Sequence, residues 1–186
     1  MPIWQADSPA MPQSDVERTV TDAATQLVVS LDIARGFTTA WTNEPLAFAF
    51  VASNFSTCLN RLASTGVWGH DNQLPGSLLW KIAGDLLETG WLQRRAREKP
   101  LGYAGDYQLL SAIVHQNCCS HPLGRAFDRY FLAQAAPQAV RNRTQIVAQT
   151  LATSYYACQR KPFRIVSIGS GPALDIRHGI ELLPQD

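Results

Sequence analysis

Apolar positions along most of this chain recur at three- and four-residue steps, the signature of one-sided helices. Val16, Val20, Ala24, Leu27, Leu31 and Ala34 form the first such stripe. Ser14-Asp15-Val16-Glu17 ahead of it reads as a capping box, with a serine to cap and a glutamate to reach back. Gly36 is its stop signal. Residues 1–13, with Pro2, Pro9 and Pro12, read as a loose arm. Asn43-Glu44-Pro45 opens a second helix, with proline in the first turn, where its missing N–H costs nothing. Phe48, Val51, Phe55, Cys58 or Leu59, and Leu62 make its stripe. A polar link from Ser64 to Gly76 leads to a third helix from about Ser77, with Leu79, Ile82, Leu86 and Leu87 inward. It either stops at Gly90 or runs on through Trp91 into Arg94-Arg95-Ala96-Arg97, a basic stretch that reads as a solvated helix end.

Past Pro100 the loop Leu101-Gly102-Tyr103-Ala104-Gly105-Asp106-Tyr107 brings Asp106 into position to cap a helix ending near Asn117. A fifth helix follows Pro122, with Leu123, Phe127, Tyr130 and Phe131 on one side. A sixth is expected over about Pro137–Gln159, with Val140, Thr144, Val147, Leu151, Ser154 and Cys158 on one face. Then the pattern changes. Phe163-Arg164-Ile165-Val166-Ser167-Ile168 is short, apolar and β-branched, between Pro162 and Gly169, which predicts a strand buried on both faces. A glycine turn and a short helical stretch, Ala173 to Leu183, complete a βα unit.

Composition narrows the class. The 186 residues are 46% hydrophobic and 17% charged, which excludes collagen-like, coiled-coil and disordered chains. A net charge of +1 gives no footprint for nucleic acid. No apolar run approaches a membrane span. Met1 to Ser14 lack a basic start followed by an apolar core. The four cysteines lack the spacing of a disulfide scaffold. A cytoplasmic chain with reduced thiols is expected. His115, Cys118, Cys119 and His121 lie within seven residues and could in principle ligate zinc. Adjacent cysteines serve one ion awkwardly, so no metal is expected; a helix end with buried thiols and exposed imidazoles is the simpler reading. The five tryptophans, all in the N-terminal half, read mainly as core and helix-packing residues.

The chemistry-bearing feature is Gly169-Ser170-Gly171-Pro172-Ala173, between the expected strand and a helix. Gly169 permits a tight reversal, Gly171 lets a ligand approach the backbone, and the helix start offers N–H groups and a positive dipole end. A dinucleotide fold usually carries a third glycine where this chain has Ala173. The run Ile165-Val166-Ser167-Ile168-Gly169-Ser170-Gly171-Pro172-Ala173 resembles the first motif of S-adenosylmethionine-dependent methyltransferases of the doubly wound class. Together with Gly102-Tyr103-Ala104-Gly105-Asp106-Tyr107 and Ala139-Val140-Arg141-Asn142-Arg143, it resembles bacterial methyltransferases of extracellular factor (3-hydroxypalmitic acid methyl ester) biosynthesis, over roughly Pro100 to Leu183.

That resemblance implies methyl transfer from S-adenosylmethionine to a carboxylate of a small molecule or a 3-hydroxy fatty acid. Such a reaction needs no metal and no strong base, because a carboxylate is already a nucleophile. It also implies that Gly169, Ser170 and Gly171 border the cofactor and that Tyr103, Asp106 and Tyr107 close over it. Arg141 or Arg143 would pair with the cofactor's carboxylate or an acidic substrate. For Asp106 a plain helix cap, and for the arginines a solvated helix face, are the competing readings. The expected architecture is mainly α: a bundle of about six helices (residues 14–160) serving as lid and substrate domain. The first βα unit of an incomplete Rossmann-like domain follows over 161–186. The remaining strands of such a sheet have no place here, so the chain is expected to be the N-terminal part of a longer enzyme, inactive alone. The strand is expected to pack as an irregular tail or to pair with a second copy as a homodimer. The alternative is a non-catalytic helical module for interaction or dimerisation.

Overall fold

A computed structural model describes residues 11–36, 44–103, 105–160 and 162–184, with the side chains of 34–36 and 44 left aside. Eight helices are found among the described residues: α1 (Gln13–Gly36), α2 (Glu44–Ala63), α3 (Gln73–Leu87), α4 (Trp91–Glu98), α5 (Tyr107–Val114), α6 (Pro122–Leu132), α7 (Ala135–Ala157) and α8 (Leu174–Glu181). The mainly helical architecture expected from periodicity is present. The residues divide into two compact units.

The first unit comprises the described residues up to Gly90 together with Ser120–Phe127. Its centre is α1, which packs on both α2 and α3. Val16, Val20, Ala24, Leu27 and Leu31 are all buried, as the stripe requires. Val51, Phe55, Cys58 and Leu62 face inward from α2, and Leu79, Leu86 and Leu87 from α3. The Phe127 ring is fully buried and meets Phe55 edge to face, 5.9 Å between centroids.

Two local expectations need correction, and an alternative left open is resolved. The capping box does not form: the N–H groups of Asp15 and Val16 both donate to the carbonyl of Pro12. Ser14 therefore lies inside the helix, and Glu17 accepts from the Gln13 amide. The third helix starts at Gln73 instead of Ser77, because Pro75 sits in its first turn, where it is tolerated. It ends at Leu87, and the stretch from Trp91 is a separate helix. Asn43, Trp4, Trp41, Ala104 and the arm up to residue 10 lie outside the described residues.

The second unit comprises Trp91–Cys119 and the chain from Asp128 onward. Leu92, Leu109, Ala112, Ile113 and Leu132 form its core, with Trp91, Phe131 and Val140 packed around them. The long helix α7 carries both α5 and α8. Its buried face is Thr144, Ala148, Leu151 and Ala152. Val147 and Ser154, expected inside, are exposed, since the face is rotated by about one residue toward Ala148. At the crossing with α8, Gly179 lies so close that a Cβ would stand 3.2 Å from the Leu151 side chain and 3.3 Å from the Ala148 carbonyl.

The expected strand is absent. Residues 163–168 carry no regular secondary structure, and no strand occurs among the described residues. A strand exists only through a neighbour that takes its N–H and C=O groups. The described chain supplies no second extended segment. The near-continuous apolar run, which suits a doubly covered strand, is left largely uncovered, with Val166 86% and Ile168 94% exposed. Phe163 alone finds an aromatic partner, Tyr155, at 5.7 Å edge to face.

Candidate functional site: two clefts on either side of a glycine turn

Both clefts lie within the second unit. The turn between residue 168 and α8 uses backbone conformations that glycine favours: Gly169 has φ +65° and Gly171 φ +55°. Ala173, the N-cap of α8, is itself left-handed at φ 52°, and no side chain caps the helix. The Ala173 N–H closes the turn on the Ser170 carbonyl at 2.9 Å.

One cleft, of about 350 Å3, is bordered by Gly169, Ser170 and Gly171 together with Ser167, Asp175, Thr144 and Arg143. Arg143 is an exposed residue of α7, and Asp175 sits in the first turn of α8. The cleft thus combines backbone, hydroxyls, one cation and one anion. The second cleft, of about 560 Å3, lies on the other side of Pro172 and Leu174, which border both. Trp91, Tyr107, Gln108, His115, Cys118 and Arg177 are among its walls. Tyr107 also stands behind the turn: a Cβ on Gly171 would lie 3.9 Å from the Tyr107 Cβ.

The residues singled out from sequence therefore part company. Gly169, Ser170, Gly171 and Arg143 come together in the smaller cleft, with Tyr107 adjacent. Tyr103 is exposed and borders neither. Arg141 is engaged structurally: one terminal nitrogen donates to the Leu132 carbonyl (2.9 Å) and to Gln138 (2.7 Å). It thereby satisfies the C-terminal turn of α6, while its other terminal nitrogen is buried without a hydrogen-bond partner. Asp106 is 1% exposed and accepts from the N–H groups of Gln108 and Leu109, the N-cap of α5. Its carboxylate also meets the Arg95 Nε, at 3.0 and 2.9 Å to its two oxygens. Burial pushes the Asp106 pKa up, but the Leu109 N–H, Arg95 and the Gln108 N–H outweigh it and hold the carboxyl below its ordinary value.

Arg95 is thus no solvated helix end. Its side chain is 14% exposed, paired with Asp106 and stacked over Trp91 with Cζ 5.4 Å from the ring centroid. Asp128, which sequence reasoning missed, is fully buried. It accepts from the N–H of Leu92 at 2.8 Å and of Cys119 at 2.9 Å. One carboxylate on α6 therefore caps α4 and fixes the loop that carries the thiols. The available signal was an aspartate directly beside Phe127, on the apolar side of its helix.

Among the described residues no group of three or more His, Cys, Asp or Glu is placed to hold a metal ion. His121 accepts from the Gly124 N–H at 3.1 Å, at the start of α6. The His115 Nδ1 is 2.8 Å from the Ser111 carbonyl. Cys58 is buried, and desolvation, only partly opposed by Arg61, pushes its thiol up to about 11, which keeps it protonated. No helix among the described residues is long and apolar enough to cross a membrane. Comparison with known protein families, with curated proteins and with solved structures finds no match to this chain.

Proposed function

We propose that this chain belongs to an S-adenosylmethionine-dependent methyltransferase, in which the turn Gly169–Ala173 and Arg143 hold the amino-acid end of the cofactor. The observation that carries it is that Arg143 and Asp175 line the same cleft as the backbone of Gly169, Ser170 and Gly171. One cation and one anion in the same polar cleft suit a zwitterion, whose carboxylate meets the guanidinium fork and whose ammonium meets the aspartate. Bound there, the cofactor supplies an electrophilic methyl group. The chain's own part is to orient and to exclude water. The acceptor in this proposal is a carboxylate, of a small molecule or a (3-hydroxy) fatty acid. The finer architecture belongs to the same proposal. Residues 163–168 become the first strand of a Rossmann-like sheet once further strands cover them, and the helices act as lid. Without that sheet no turnover is expected, and cofactor binding is expected to be weak.

Equilibrium dialysis of the purified chain against labelled S-adenosylmethionine tests this. Weak saturable binding that Gly171→Val or Arg143→Gln abolishes supports the proposal. Absence of binding, or binding indifferent to both substitutions, defeats it.

A second reading, a non-catalytic interaction module, is favoured by a different observation. Val166, Ile168, Ile146 and Tyr156 are apolar side chains left more than half exposed. In that reading the segment 163–168 pairs with the same segment of a second copy, a homodimer by strand addition.

A further inference from the structure

We infer that the 560 Å3 cleft is a separate ligand site, selective for a flat aromatic ring that bears a carboxylate or comparable anion. This goes beyond methyl transfer and does not depend on it. The volume falls within the range of small-molecule clefts. Four of its lining residues carry rings, the planar Trp91, Tyr107 and His115 and the puckered Pro172. Ring walls give large contact with little side-chain entropy to lose, and they favour offset or edge-to-face contact with another ring over a flexible chain. Trp91 is held in place from outside the cleft lining, by the Arg95 guanidinium 5.4 Å from its ring centroid.

Charge sets the other half of the selectivity. Among the described residues lining this cleft, Arg177 is the only permanent cation, and none is Asp or Glu. The glycine-turn cleft has both signs, so the two would sort ligands differently: a zwitterion there, a simple anion here. Arg177 is exposed on α8, and its guanidinium offers a planar fork that matches a carboxylate. His115 adds a hydrogen-bonding group of defined orientation. The Ser111 carbonyl can only accept, so in the neutral ring this contact would place the proton on Nδ1 and present the Nε2 lone pair to a ligand hydroxyl. Cys118 and Cys119 line the same cleft and report on its occupancy.

The test is calorimetric titration of the 186-residue chain with three probes: 2-naphthoate, neutral 2-naphthamide and decanoate. Naphthoate should bind about tenfold more tightly than either of the others. Arg177→Gln should weaken naphthoate about tenfold without changing naphthamide, and Arg177→Lys should restore most of the loss. Bound naphthoate should slow alkylation of Cys118 and Cys119 by iodoacetamide, located by peptide mapping, but not that of Cys158. No naphthoate binding overturns the inference. So does equal binding of naphthamide or decanoate, an Arg177→Gln protein that binds naphthoate unchanged, or thiols that remain unshielded.

Discussion

Asp106 shows how one side chain can do two structural tasks at a loop expected to be functional. Its carboxylate caps α5 through two backbone N–H groups and holds Arg95, itself stacked on Trp91. Removing it deletes the cap and leaves Arg95 largely buried without its counterion. Asp106→Ala should cost about 2–4 kcal/mol in urea unfolding. Asp106→Asn should keep part of the cap and lose the charge pairing. Because the folded carboxyl titrates below its unfolded value, its contribution is present above the unfolded pKa and is lost as pH falls through the folded one. Stability of the wild-type protein should therefore decline as pH drops below about 4, and Asp106→Asn should flatten that decline. An identical acid slope in the two proteins would refute this role. The cap was legible from Asp106 standing just before an apolar run. The pairing with Arg95 was not, since an arginine within a basic stretch looks the same whether it is solvated or folded back onto an aspartate eleven residues away.

At the scale of elements, the helices were the readable part, because burial on one face writes a period into the sequence. The α1 stripe from Val16 to Leu31 and the α2 positions Val51, Phe55, Cys58 and Leu62 lie on the buried faces, while Phe48 is only half-buried. The face of α7 was displaced by a residue because two of its buried positions are the small Ala148 and Ala152, and an alanine carries little weight in a hydrophobic pattern. The strand was misread for a different reason. Residues 163–168 have the composition of a buried strand, but composition specifies only what a segment prefers, and pairing requires a partner. The α7–α8 contact depends on Gly179, where the Leu151 side chain and the Ala148 carbonyl leave no room. Gly179→Val should push α8 off α7 at a cost of about 1–3 kcal/mol. Hydrogen exchange should then show lost protection in Leu174–Glu181 with α7 little changed. Retained protection of α8 would mean that the close approach is not what holds it.

For the whole molecule, the exposed segment 163–168 separates the readings. If it stands alone, trypsin should cut after the exposed Arg164 among its earliest sites, at a rate independent of protein concentration. If two copies pair there, protection of Arg164 should grow with concentration and a dimer should appear in sedimentation equilibrium. A monomer with Arg164 resistant at all concentrations would contradict both descriptions. The sequence carried the turn chemistry, since glycines at left-handed positions and the helix start are local. Assembly of Arg143 and Asp175 around that turn depends on α7 and α8 packing together, which no local pattern encodes.

The most direct test of the central claim, that the turn after residue 168 binds the amino-acid end of S-adenosylmethionine, is an amide-resolved NMR titration with S-adenosylhomocysteine. Saturable shifts should gather at Gly169–Asp175 and around Arg143 and vanish in Gly171→Val. Shifts that fall elsewhere, or none at millimolar ligand, would contradict it.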